Sequence, residues 1–438
     1  MSEEFILNSK GEEKFEVFEL VKVMNHGALL IDGTFDKRFP LVCGCGMRIK
    51  GKFNLQKLEK AIQKAYDSID TMRAFINMDD PDDLYFKIRK NYEYHMELLK
   101  AEGETADERY ENAKNQVQGI AFQRDTYRKS ACNFFIYKLD ENDIFFSMLT
   151  EHGLIDGQAV LIIVKKIIID YIGLPMGKGI HKKGLADFYE FYEKFKDEGT
   201  MQANTEFWNE KAKGLEDLYK YNPPLENNAI SESEKLLKVP MKTLKAACKN
   251  YRTTMGNLVI AAYEMAIAKT YGISKAAISC VSANHTIPDY FDSAVLQLDS
   301  MLLVNEVPVD ETPVQEVLKA SLKTTSEGLM HTPSFYSKTP FSRFLFSYAG
   351  DLLKGMDPSK MPGLDITSWM PESIPEHVFD VDYIFLIAFE QRHELELHFA
   401  TCDKVYNRND FISITQGMVD IFTKLGNEKN LTMEQLLK

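Results

Sequence analysis

The chain has 438 residues, 45% of them hydrophobic and 11% aromatic, enough to bury substantial cores and too apolar for a disordered chain. Its 65 acidic residues outnumber 52 basic ones, for a formal charge of −13. Such a field opposes nucleic-acid binding but leaves room for a small anion in a local basic pocket.

In chain order, residues 41–49 alternate as a strand and lead to Asn54, placed to cap a helix over 55–69. In that helix Leu55, Leu58, Ala61, Ile62, Ala65 and Ile69 recur at helical spacing. Strands are predicted over 72–76 and 84–88, an exposed helix within 102–123, and a strand pair, 133–139 and 144–151, around the turn-rich residues 140–143. Residues 157–172 are apolar on most sides and read as a helix buried between layers. With Lys165, Lys166 and Asp170 inside it, the stretch 159–172 is too short and too charged to span a bilayer. A loop over 174–184, helices over 186–196 and 205–213, and a linker over 221–233 with two Pro follow.

The second half repeats the mixture. Helices are predicted over 241–251, 254–271, 312–327 and 410–425, and strands over 277–282, 301–309, 344–348, 383–389 and 394–400. Residues 351–376, rich in Pro, Gly and Met, read as a mobile loop closing over a channel or a plain connector. Strands with helices on one side in each half point to an α+β architecture rather than a doubly wound sheet. The expected division is 1–185, a connecting region 186–233, and 234–438. No repeat of about 20–50 residues is visible.

Six cysteines are scattered without a Cys-x-x-Cys pair. Cys43 and Cys45, two apart on a strand, share one face as small core residues, and no metal site is expected. Residues 1–5 lack the basic and apolar regions of a signal peptide, so a cytoplasmic location is expected.

Residues 145–157 carry the chemistry. A strand ends at His152, a glycine-flanked turn follows (Gly153, Leu154, Ile155, Asp156, Gly157), and then the buried helix begins. An imidazole held between two rigid elements is well placed as a general base near pH 7. Asp156 can order the turn, and Gly157 omits a Cβ where a chain or substrate comes close. His285 and His377 are candidates to line a tunnel, with an ordinary loop or core histidine the favoured reading for each. Against the acidic whole, Lys235, Lys238, Lys242, Lys245, Lys249 and Arg252 form a basic cluster, and four of its lysines fall at three- and four-residue steps on one helix face. A solvated face is the default. The alternative is a docking site for a phosphorylated pantetheine arm or an acidic carrier protein, through Lys242, Lys245 and Lys249.

The stretch His152-Gly153-Leu154-Ile155-Asp156-Gly157 resembles the His-x-x-x-Asp-Gly motif of nonribosomal-peptide condensation domains, chloramphenicol acetyltransferase and related acyltransferases. Glu151 stands where condensation domains usually carry a first His. Arg73, Asp299–Pro308, and Tyr406, Asn407 and Phe411 are similar to further family segments, so the likeness spans most of residues 40–425. The plant branch's Asp-Phe-Gly-Trp-Gly has no counterpart beyond a faint echo in 379–383. The resemblance implies two chloramphenicol-acetyltransferase-like αβ sandwich subdomains in a V with a central tunnel. It implies an Arg73–Asp156 ion pair, and His152 as the base that activates a hydroxyl or amine. The donor would be a CoA or carrier-protein thioester, with no covalent enzyme intermediate, no resident cofactor and a monomeric chain. Ser347, on a strand of the second half, is the candidate oxyanion donor. The competing readings are a free-standing amide-forming condensation enzyme and a non-catalytic scaffold that binds a carrier protein or partner.

Overall fold

Asn54 caps the first long helix as its residue type predicts: its side chain accepts the Lys57 N–H at 2.9 Å, opening α1 (Leu55–Ser68). The computed structural model describes residues 3–18, 21, 42–77, 83–173, 183–215, 228–283, 285, 287–332, 342–350, 363–371, 384–391, 393–401 and 406–438. His377, Cys402, Phe379, residues 174–182 of the expected loop and 221–227 of the expected linker lie outside these. The chain forms two compact units.

The first unit comprises residues 1–198, 283–298 and 353–378. A small sheet joins β1 (Phe15–Glu16), β3 (Ala74–Asn77) and β4 (Tyr85–Ile88) in the order β1-β4-β3. A larger sheet contains β2 (Val42–Gly51), β5 (Leu98–Lys100), β6 (Cys132–Asp140), β7 (Asp143–Glu151) and β12 (Leu364–Trp369), in the order β12-β2-β7-β6-β5. Its central strand, β7, is buried along all nine residues, which explains why its apolar residues do not alternate with polar ones. α2 (Ala106–Ala121), opened by a Thr105–Glu108 capping box, packs on β6 and β7. α3 (Gly157–Ile172) packs on α1 and β2. α4 (Leu185–Asp197) starts where the Asp70 carboxylate accepts the N–H groups of Leu185 (2.7 Å) and Ala186 (3.2 Å).

The second unit comprises residues 199–282, 299–352 and 379–438. Its elements are α5 (Thr200–Ala212), α6 (Glu232–Lys235), β8 (Leu236–Pro240), α7 (Met241–Tyr251), α8 (Met255–Tyr271), β9 (Lys275–Ser282), β10 (Asp299–Glu306), α9 (Val314–Met330), β11 (Phe344–Gly350), β13 (Ile384–Glu390), β14 (Glu394–Thr401), α10 (Arg408–Asn427) and α11 (Met433–Leu437). The sheet runs β10-β9-β11-β13-β14-β8, with β11 parallel to both neighbours and the other pairs antiparallel. α8 buries a continuous run, Asn257 to Ala268, because α7, α9, α10 and β9 surround it.

Two expectations need correction. The units are not consecutive blocks 1–185, 186–233 and 234–438. α4 belongs to the first unit, α5 to the second, and residues 283–298 and 353–378 return to the first. Within 351–376, β12 is a strand rather than a loop: Leu364–Trp369 pairs antiparallel with β2, Trp369 opposite Gly46. A Cβ on Gly46 would lie 2.6 Å from Trp369 Cε3 and 2.8 Å from Phe145 Cε2. Only glycine leaves room for both rings there, which meet edge to face.

Candidate active site

His152 follows the last residue of β7, and a knot of hydrogen bonds fixes its turn. The Glu151 carbonyl accepts the N–H groups of Leu154 and Ile155, each at 3.1 Å, and Glu151 Oε1 accepts that of Gly153, also at 3.1 Å. A Cβ on Gly153 would lie 2.7 Å from Ile76 Cδ1, so any larger residue there must displace that side-chain tip. His152 Nδ1–H donates to the Ile155 carbonyl at 3.0 Å. A carbonyl only accepts, so this bond puts the proton on Nδ1 and leaves the Nε2 lone pair to take another. The residue is half-buried. Burial lowers the ring's pKa below the usual histidine range, and the Asp156 charge only partly opposes this. At neutral pH the imidazole is therefore an unprotonated base.

Asp156 is 1% exposed and caps α3, its Oδ1 accepting the Ala159 N–H at 2.8 Å. Its Oδ2 accepts the Gln297 N–H at 2.8 Å. His285 Nε2 reaches both oxygens, at 3.0 and 3.1 Å. Burial alone would raise the carboxyl's pKa. The His285 charge and hydrogen bond, with the two backbone donors, outweigh it and hold the pKa below the ordinary value. For His285, burial favours the neutral ring, but Asp156 prevails and its pKa is raised. The segment 283–298 is further tied to the motif turn by Leu296 N–H on the Leu154 carbonyl at 2.8 Å. It is tied to α4 by the Tyr290 hydroxyl on the Asp187 carbonyl at 2.9 Å.

The expected Arg73–Asp156 pair is corrected by this geometry. Arg73 Nε donates to the Arg89 carbonyl at 3.0 Å, and Nη1 donates to the Tyr66 and Asp67 carbonyls. Its nearest charges are Asp70 and Asp67, so it braces the end of α1 while His285 takes its expected place beside Asp156. Gly157 is exposed, and a Cβ on it would meet no atom within 4 Å. Among the described residues nothing demands glycine there. Cys43 and Cys45 share a face of β2. Burial pushes each thiol up to about 12, with Asp156 adding to it at Cys43, so both stay protonated and inert.

The other predicted residues lie in the second unit. Ser347 is half-buried on β11, opposite Ile387 of β13 and Val281 of β9. Lys242, Lys245 and Lys249 are exposed along α7 and, with Arg252, have no ion-pair partner among the described residues. Lys238 lies on β8 instead, held by Glu394 (2.7 Å) and Glu396 (3.0 Å). A surface hollow of about 460 Å³ opens at the β6–β7 turn, at the opposite end of β7 from His152, and its Arg48 is already paired with Asp143 and Asp107. Among the described residues no group of His, Cys, Asp or Glu is arranged to hold a metal ion, and no helix is long and apolar enough to cross a membrane.

Sequence reasoning missed His285, Gln297 and the anchoring role of Glu151. Only Glu151 had a local signal, as an acidic residue at the end of a largely apolar strand directly before His152.

A family model described as Condensation domain matches residues 44–310. No curated protein sequence matches the chain. The condensation domain of the Monacolin K polyketide synthase superposes with a TM-score of 0.75 at 14% identity, covering 96% of this chain and 99% of that one. The X-domain of teicoplanin biosynthesis, in its complex with OxyB, gives 0.69 at 13% identity over 100% and 98%. The starter condensation domain of rhizomide synthetase, in complex with C8-CoA, gives 0.67 at 12% identity over 96% of each. At these identities the likeness is one of fold.

Proposed function

The chain belongs to the condensation-domain family, and from this premise we propose that it transfers an acyl group from a CoA or carrier-protein thioester to a hydroxyl or amine. One observation carries the reading: Nδ1 of His152 is committed to the Ile155 carbonyl, so Nε2 carries the basic lone pair of a neutral, half-buried ring. Nε2 removes the acceptor's proton as its oxygen or nitrogen attacks the thioester carbonyl. The tetrahedral adduct collapses, the C–S bond breaks, and the thiolate takes the proton back from the imidazolium, with no acyl-enzyme formed. Ser347 is assigned as the hydrogen-bond donor to the carbonyl oxygen, and Ser347→Ala should lower kcat with little change in KM.

The C8-CoA complex of the rhizomide domain supports a thioester donor. The open space beside Gly157 supports its passage over the start of α3. Lys242, Lys245 and Lys249 are assigned to donor docking; a triple change to Glu should raise the donor KM, and an unchanged KM would remove them from the site. His152→Ala, with circular dichroism showing an intact fold, should lose about 10²–10⁴-fold in kcat. Undiminished transfer would overturn the assignment. Comparing free acyl-CoA with acyl-carrier donors separates the general acyltransferase from a carrier-bound, amide-forming enzyme.

A second reading, a partner-binding scaffold, is favoured by the X-domain relative seen bound to OxyB. Turnover of any acyl thioester by the wild-type chain would exclude it.

A further inference from the structure

We propose that His285 is a positioning residue for the reaction: its imidazole, bound to both oxygens of Asp156, sets the charge that the motif presents to His152. The proposal rests on His152 being the base and adds a residue that acts on it through Asp156.

Asp156 is fully buried, and its other donors are two uncharged backbone N–H groups, those of Ala159 and Gln297. A carboxylate balanced by those alone would direct its full negative charge at His152, favour the imidazolium and take away the free lone pair. A cation bound to the carboxylate offsets that field. In this chain the cation is not Arg73, which is spent on backbone carbonyls. It is His285, with a side chain 10% exposed.

Few other charges face this group among the described residues. Asp156 faces His152, His285 and the Cys43 thiol of β2, which stays neutral. His285 faces Asp156, the Phe291 carbonyl at 3.3 Å and the Gln297 amide nitrogen at 3.1 Å. Lys183, Asp187 and Asp289 gather around Tyr290. The ring's second nitrogen has a partner in either state: when protonated Nδ1–H donates to Phe291, and when neutral it accepts from Gln297. Deprotonation therefore changes the charge and exchanges the Nδ1 partner, while the Nε2–H contacts with Asp156 stay. The two histidines are pushed apart: burial lowers His152, while the Asp156 charge and hydrogen bond raise His285 against its own burial.

The test is an NMR titration of the His152 ring in the full-length wild-type chain and in His285→Gln, His285→Arg and Asp156→Asn. Glutamine keeps a donor for Asp156 but no charge, so the His152 midpoint should move to higher pH, and the acid limb of kcat should move with it at unchanged KM. Arginine should restore the low midpoint, and Asp156→Asn should lower it further. A midpoint that stays put or falls in His285→Gln overturns the proposal. Should that variant fail to fold, an Asp156→Asn midpoint that does not fall overturns it equally. The ring titration needs no substrate, so its outcome is separate from that of the acyl-transfer assay.

Discussion

Glu264 offers a quantitative test of how the second unit holds a buried acid. The side chain, 1% exposed on α8, accepts from Asn305 Nδ2 at 2.7 Å and from the Ser321 hydroxyl at 3.5 Å. Burial raises its pKa from 4.5 to about 8, against the smaller pull of those two donors. Unfolding returns the group to water. Between 4.5 and about 8 the unfolded chain has released this proton while the folded chain keeps it, so stability falls as pH rises through that window and levels off above it. At about 1.4 kcal/mol per pH unit the whole window is worth roughly 5 kcal/mol, of which roughly 3 is already lost at pH 7. Glu264→Gln keeps the acceptor for Asn305 and removes the titration. Urea denaturation of both proteins at about pH 5, 6, 7 and 8 should show the variant's advantage growing by up to about 1.4 kcal/mol per pH unit. A difference that does not change with pH would refute the reasoning.

Other outcomes follow from the first unit. Gly157→Leu should leave the melting temperature within a degree or two, because its Cβ meets open space, yet cut transfer by about tenfold or more if the donor passes there. A clear loss of stability would mean that the protein itself needs the glycine. Gly46→Val drives a side chain into Trp369 and Phe145 and should cost about 1–3 kcal/mol. In a Trp208→Phe background, which leaves Trp369 as the one tryptophan, the emission should shift to the red, and an unshifted spectrum would show that β12 still docks. Arg48→Met strands the buried Asp143 carboxylate, a loss of about 3–5 kcal/mol by thermal melt. Adding Asp143→Asn should recover much of it.

What could be read in the sequence was local. The helix predicted over 157–172 is the one observed, and α7 likewise spans 241–251, because periodicity and capping are written within a few turns of chain. The placement of His152 at a strand's end was legible for the same reason. The fold class followed from the same elements, and the condensation-domain structures bear it out. The strand β12 was hidden because it is six residues long and its partner, β2, lies some 300 positions earlier.

The partner of Asp156 was undecidable from spacing. Arg73 and His285 are both cations within a long chain, and only packing determines which one a buried carboxylate meets. Arg73 is drawn off by the carbonyls at the end of α1, while Gln297 and Leu296 pin the distant segment, and His285 with it, against the motif turn. The sequence by itself located His152 and the two elements that carry it. The partner of Asp156 was decided by a contact between residues 129 apart, a distance over which chain spacing carries no information about proximity.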